Sequence, residues 1–310
     1  MAQFLNASVG GISLGLIWGV LAVGVYLTYR ILDFADLTVD SSLATGGVVT
    51  AVLIANGCTP ILALLASCLA GSCAGLITAL LNTKLKIPAI LAGILTMSAL
   101  YSINLKILGN RANVSFFGKP TINGYWADLF NLSLIDDKNV LSIITCVIVC
   151  SAVVGFLYWF FGTEFGCSVR ATGFNSTMAK AQGINTDLTK IVCLMISNGL
   201  AGLAGGLLAQ HNQSGDVNMG TGTIVIGLAS VILAETVIRD RFSFWLKLAL
   251  VVLGSVAYRL IFTFAVQMGM HTNDLKLVAT AIIVIALTVP LIKKKIAHKK
   301  LKGGLNNVKN

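Results

Sequence analysis

TEFGCSVRATGFNSTMAKAQGINTDLTK, residues 163–190, decides how this chain is read, because it is polar and nearly everything on either side is oily. It carries Arg170, Lys180 and Lys190 between two long apolar blocks. Its centre predicts a short helix that starts over 168–173, continues over 177–182 and ends at Gly183. Glycine beyond the last helical turn takes the left-handed conformation without penalty. A short amphipathic helix held at a membrane surface between two spans suits the docking of a soluble partner. An ordinary solvated connector has the same spacing, so the residues by themselves leave both readings open.

The flanking blocks make the chain an integral membrane protein. Hydrophobic residues are 56% of its 310 residues and charged residues only 11%, and the mean hydropathy is +0.87. A soluble domain averages about 25% charged residues. Apolar runs of about 20 residues, each able to cross roughly 30 Å of hydrocarbon, recur along the chain. They fall near 10–29, 38–56, 60–82, 88–107, 140–161, 190–210, 222–238, 244–268 and 274–292. The expected fold is therefore an all-α polytopic membrane protein with about nine transmembrane helices (a range of 8–10), one or two of them broken, in a single transmembrane domain over 1–310. The first run reads as a span and not a signal peptide: it lacks a basic leader, and Tyr26, Tyr29 and Arg30 follow where small residues would be cleaved.

Net charge is +10, but its distribution points to a lipid bilayer and not to nucleic acid. Lys293, Lys294, Lys295, Lys299, Lys300 and Lys302 follow the last run, so 293–310 reads as a basic cytoplasmic tail against anionic lipid. Alternating sides from that tail puts 16 of the 22 Lys and Arg on one face, five opposite, and Arg259 within a span. The positive-inside rule then predicts the N-terminus out, the C-terminus in, and 163–190 a cytoplasmic loop. The other long polar segment, 109–139, falls outside, where it can meet a binding protein or act as a simple linker.

Catalytic and metal chemistry find no pattern. The seven cysteines include no C-x-x-C pair, and those in the apolar runs read as small apolar residues. His211, His271 and His298 are far apart, with no H-E-x-x-H, so no metal and no cofactor is expected. The nearest approach to a phosphate cradle, FGK at 117–119, runs into Pro120. The chain is expected to hydrolyse nothing itself, and an enzyme reading is poor.

Two halves carry matching breaks. FADLTVDSS, 34–42, interrupts the first pair of runs, and SGDVNMGTG, 214–222, interrupts the sixth and seventh. An odd offset of five spans predicts two inverted pseudo-repeats with broken helices, the pattern that puts a substrate path near the midplane. Gly71-x-x-x-Gly75 and GLAGLAGG, 199–206, predict close helix packing. Ionisable groups inside a membrane are costly, which singles out several polar residues as path candidates. These are Asp36, Thr38 and Asp40 at the first break, Asp216 and Asn218 at the second, and Glu235 and Arg259 in later spans. Each has a structural alternative: Asp36 and Asp40 as caps of the helix they precede, Glu235 in a local pair with Arg239, and Arg259 paired with a carboxylate or carbonyls.

The 163–190 loop resembles the coupling segment of bacterial ABC importer permeases of the branched-chain amino acid and ribose permease family. The shared pattern is carried here by Gly166, Arg170, Ala171, Gly173, Asn175, Ala179, Gly183, Ile184 and Asn185. DLTVDSS, 36–42, is similar to the family's broken second span, with Ser41 where glycine is usual. LNTKLKIPAILAGILTMSALYSINLKILG, 81–109, is most similar to a tryptophan/tyrosine-type amino acid branch. The resemblance implies a type II importer-like fold in a bacterial cell membrane. It implies three kinds of partner: an ABC ATPase subunit, an extracytoplasmic substrate-binding protein and a second permease subunit, as a homodimer. The implied cargo is an amino acid, with a sugar or nucleoside as alternative, and a stand-alone secondary transporter is the rival mechanism.

Overall fold

A computed structural model describes residues 2–129, 138–238 and 242–270, with the single positions 280, 284 and 288 besides. α1 (Ala2–Tyr26) widens into a π-type turn at Leu27–Ile31, and α2 (Thr38–Ala55), α3 (Pro60–Thr83) and α4 (Ala89–Ile107) follow. After β1 (Asn113–Ser115) come α5 (Ile122–Leu129) and α6 (Lys138–Gly162). Two short helices, α7 (Glu164–Phe174) and α8 (Ser176–Ala181), lead to the long α9 (Thr186–Asn212). β2 (Ser214–Asp216), α10 (Thr223–Val237) and α11 (Phe244–Gln267) complete the described chain.

The expected class holds: an all-α polytopic membrane protein, with the count of nine approximate. Among the described residues seven helices are long and apolar enough to cross a membrane. An eighth, α10, has 15 residues, or about 22 Å at 1.5 Å per residue, short of a full crossing. The expected span at 274–292 lies outside the described residues but for three positions, and the 293–310 tail lies wholly outside them. One element was unexpected. β1 and β2 pair antiparallel, Asn113 opposite Asp216. Three residues a strand are too few for alternation to register in a sequence.

α1, α2 and α9 are largely buried, whereas α3, α4, α6 and α11 turn apolar side chains outward, as with Leu62, Leu65 and Leu69 on α3. That is the arrangement a lipid solvent requires, because outward leucines cost nothing there. α9 is the hub. Its Gly202 lies where α2 and α3 both cross, against Gly46 on one side and Ser67 and Gly71 on the other. A Cβ at Gly46 would run into the Gly202 backbone, and one at Gly202 into the Ser67 carbonyl. Van der Waals contact between bare backbones replaces the hydrophobic effect, which is absent between helices in lipid. The glycine runs at 71–75 and 199–206 thus do the packing expected of them.

Contacts sort the helix ends into two groups. At one end lie the Leu27–Ile31 turn, α7 and α8, the starts of α9 and α11 and the end of α10. Gly173 sits against the Ile31 carbonyl, Arg30 Nε meets Glu235 Oε1 at 2.8 Å and Lys86 meets Asp187 at 3.6 Å. At the opposite end lies the small sheet. There Gln210 donates to the Pro60 carbonyl at 3.2 Å and accepts from the Ile122 N–H at 2.8 Å. Replacing Gly202 by Val should lower the unfolding midpoint of the detergent-solubilised protein by the equivalent of about 1–3 kcal/mol or more. Gly155→Ala, on α6 with nothing within 4 Å of an added Cβ, should leave it unchanged. Equal midpoints for the two variants would refute the crossing as a packing constraint.

Candidate functional site

The two helix breaks meet. At the first, Asp36 is 3% exposed, and its Oδ1 accepts the Thr38 N–H of α2 at 2.9 Å. Its Oδ2 accepts from Asn198 Nδ2 of α9 at 2.6 Å. Asn198 Oδ1 in turn accepts from Ser42 Oγ at 2.6 Å, and the Thr38 and Thr78 hydroxyls bond at 2.7 Å. Asp36 therefore satisfies the first N–H of α2 from the residue before the N-cap position, which is Leu37 and has no side-chain bond of its own.

Asp40 does not serve α2 in this way. The expectation was that it would cap its own helix, but its carboxylate reaches across the fold to α10. Oδ2 accepts the Gly222 N–H at 3.0 Å, and Oδ1 accepts the Thr223 hydroxyl at 2.8 Å and the Ile224 N–H at 2.7 Å. The first N–H groups of a helix have no partner within it and carry partial positive charge, so a carboxylate from elsewhere satisfies both. Gly220 makes the approach possible, since a Cβ there would strike the Asp40 carbonyl. Asp216 Oδ1 accepts the Asn218 N–H at 2.6 Å, a turn closed by the side chain.

Of the seven candidate path residues, Asp40 and Asn218 come together where the breaks touch, while Asp36 and Thr38 bond to α9 and α3 and Asp216 pairs with Asn113 in the sheet. A cavity of about 280 Å³ opens where the breaks touch, lined by Asp40, Ser41, Met97, Ser98, Tyr101 and Asn218 among others. Asp36 and Thr38 lie buried behind it and do not line it. Ser41 bonds the Met97 carbonyl at 3.2 Å and ties α2 to α4.

The other two candidates lie elsewhere. Glu235 pairs with Arg30 of the π-type turn; Arg239, its expected partner, lies outside the described residues. Among the described residues Arg259 forms no ion pair with a carboxylate. Its guanidinium stands 5.0 Å from the Trp18 ring and 5.3 Å from the Phe262 ring, and its buried Nε has no hydrogen bond among the described residues. α1 offers an aromatic face at that level and no acid, so cation–π attraction takes the place of an ion pair.

The 163–190 loop is two helices where one was expected. Asn175 ends α7 and caps α8, its Oδ1 accepting the Met178 N–H at 3.0 Å. Asn185 caps α9 in the same way, accepting the Leu188 N–H at 3.1 Å, and Gly183 takes φ +81°. Gly166 and Gly173 press on the Phe160–Phe161 and Ile31 backbones, and Ala179 is fully buried. Arg170 donates to the Phe161 carbonyl at 2.9 Å and lies over the Phe244 ring. Of the motif residues, then, these inward ones hold the loop against the bundle. The outward surface is Phe174, 89% exposed, with Met178 beside it.

The family of the branched-chain amino acid transport system permease component matches residues 8–287. The chain belongs to that family. The tyrosine transport system permease protein of Clostridioides difficile is 40% identical over 87% of this chain and 86% of the relative. The ribose import permease protein of Escherichia coli K12 is 27% identical over 70% of this chain and 65% of its own length. The solved structure of PsaBC from Streptococcus pneumoniae in complex with Fab has a TM-score of 0.50 at 15% identity, over 91% of this chain and 90% of that one. The protein is a multi-pass membrane permease component of an ABC transport system and not an enzyme.

Asn198, Thr223, Tyr101 and Phe174 were not singled out in the sequence. Asn198 had a signal, a lone amide within an apolar run, where polar side chains serve as interhelical glue. Removing it by Asn198→Ala strands one Asp36 oxygen and the Ser42 hydroxyl, each at a cost of about 1–3 kcal/mol. A double-mutant cycle with Ser42→Ala, read by thermal unfolding in detergent, should return a coupling of about 0.5–3 kcal/mol. Strict additivity would show that the network contributes nothing as a unit.

Proposed function

We propose that this chain is the membrane subunit of a binding-protein-dependent importer for an amino acid, with an aromatic amino acid the favoured cargo. A separate ATPase would supply the energy through α7 and α8. The observation that carries this is the loop itself: two short capped helices with small residues turned inward and Phe174 and Met178 turned outward. Apolar side chains standing free at a polar end of a membrane protein suit a cleft in a soluble partner. A secondary transporter working alone has no use for such a surface.

Charge supports the orientation. Arg30, Lys84, Lys86, Arg170, Lys180, Lys190 and Lys247 gather at the α7–α8 end, against Lys106, Arg111, Lys119 and Lys138 at the end with the sheet. By the positive-inside rule the α7–α8 end is cytoplasmic, the N-terminus is out, and the loop after α4 faces the binding protein. Two copies of the chain would form the translocation pathway, with Asp40 and Asn218 at the meeting of the breaks. The ribose permease relative supports a sugar as the second cargo.

Two experiments test this. Cysteines placed at the exposed Asn110 and Gln182 should label with a membrane-impermeant maleimide from opposite sides of right-side-out vesicles, Asn110 from outside. Labelling from one side would remove the orientation. Phe174→Ser with Met178→Ser should cut co-purification with the cognate ATPase about tenfold or more, as expected for interface anchors. Gly173→Trp is no clean probe of docking, because it would also displace the Ile31 backbone. Full retention of the ATPase by the double variant would leave α7–α8 a plain connector.

A further inference from the structure

The cavity at the meeting of the breaks has the chemistry of a small recognition site, although a permease fed by a binding protein has no need of one. One wall is polar. Asp40 presents a carboxylate with room for about four hydrogen bonds, of which α10 takes three. The side-chain amide of Asn218 and the hydroxyl of Tyr101 have no protein partner among the described residues, and the Ser98 hydroxyl donates to the Ile94 carbonyl with its oxygen left free to accept. The other wall is apolar, with Met97, Val217 and the Tyr101 ring. About 280 Å³ lies at the small end of ligand pockets, which run to roughly 300–1,000 Å³, and suits one amino acid and nothing larger.

We infer that this cavity holds the cargo in transit as a zwitterion, with the ammonium on Asp40, the carboxylate on Asn218 and Tyr101, and an apolar or aromatic side chain on Met97 and Val217. This rests on the amino-acid cargo proposed above. The partition of the walls favours it over a sugar, whose hydroxyls would face Met97 and Val217 unpaired. Asp40 then has two jobs at one carboxylate: it closes the start of α10, and it offers its remaining acceptor site to the ammonium. Arrival of a cation at Asp40 competes with the helix for the same charge, so cargo and the α2–α10 contact are felt by each other.

The test uses the complete permease–ATPase complex in lipid nanodiscs with Ser98→Cys, following alkylation at residue 98 by mass spectrometry. L-Tyrosine should slow alkylation about tenfold, the order of one charge-assisted hydrogen-bond pair. Tyramine, without the carboxylate, and 3-(4-hydroxyphenyl)propionate, without the ammonium, should each protect far less, and ribose should not protect at all. Adding Asp40→Asn should remove the protection by tyrosine, whereas Thr223→Val, which weakens only the helix cap, should keep it. Protection that survives Asp40→Asn, or equal protection by the propionate, overturns the inference. So does absence of protection in a complex that still imports tyrosine with its binding protein, and in that case the cargo assignment stands. Protection and uptake with ribose in place of tyrosine overturn both.

Discussion

Asp40 on the first N–H groups of α10 is the contact on which the rest of the fold depends. Hydrocarbon offers a broken helix nothing to bond, so a break is tolerated at membrane depth only where the protein satisfies it. Here two carboxylates do so. Asp36 closes the start of α2 from the adjoining segment, and Asp40 closes the start of α10 from across the fold. Once these bonds are required, much else is determined. Gly220 has to be glycine for the chain to reach Asp40, and Asn198 has to stand where Asp36 needs a donor. α9, which carries Asn198, is then bound to α2 as closely as bare backbone permits.

α10 is held at both of its ends. Asp40 holds its start, and Arg30 holds Glu235 near its finish. Arg30 belongs to the same π-type turn as Ile31, on which Gly173 of α7 rests. Gly173, Ile31, Arg30, Glu235, α10 and Asp40 are therefore an unbroken run of contacts from the outward face of α7–α8 to the cavity. Its members differ in strength. The Arg30–Glu235 pair is a single, partly exposed contact and contributes at most about 1 kcal/mol, whereas the Asp40 carboxylate accepts three bonds at 2.7–3.0 Å. The run is therefore weaker at the exposed Arg30 end than at the Asp40 end.

Much of this was legible in the sequence, and the gaps have physical causes. The apolar blocks, the polar loop, the paired breaks and the close-packed glycines are local patterns, and within the described residues they appear where they were expected, with α10 shorter than a full span. Asp40 was legible as a cap but not as a cap of α10, because 183 residues separate it from Thr223 and no local pattern records that meeting. Arg259 was legible as needing a partner, but aromatic faces are common in such helices and Trp18 carries no mark that pairs it with an arginine. The split of the 163–190 loop into two helices is a different matter. Asn175 is a strong N-cap residue in the middle of a helical pattern, and residue chemistry alone would have divided the helix there.

That division explains how so short an element keeps its shape. Helices of 11 and 6 residues are too short to be stable in water by themselves. Order in α7 and α8 must come from their ends and their inner face. Thr163, Asn175 and Asn185 supply the caps of three successive helices, and Gly166, Gly173 and Ala179 supply contact with the bundle. The family motif is thus mainly a recipe for holding the loop still, written in caps and small residues. Phe174 and Met178 take no part in that frame: their side chains stand exposed on the outer face of the two helices, so changing them leaves the caps and the small-residue contacts intact.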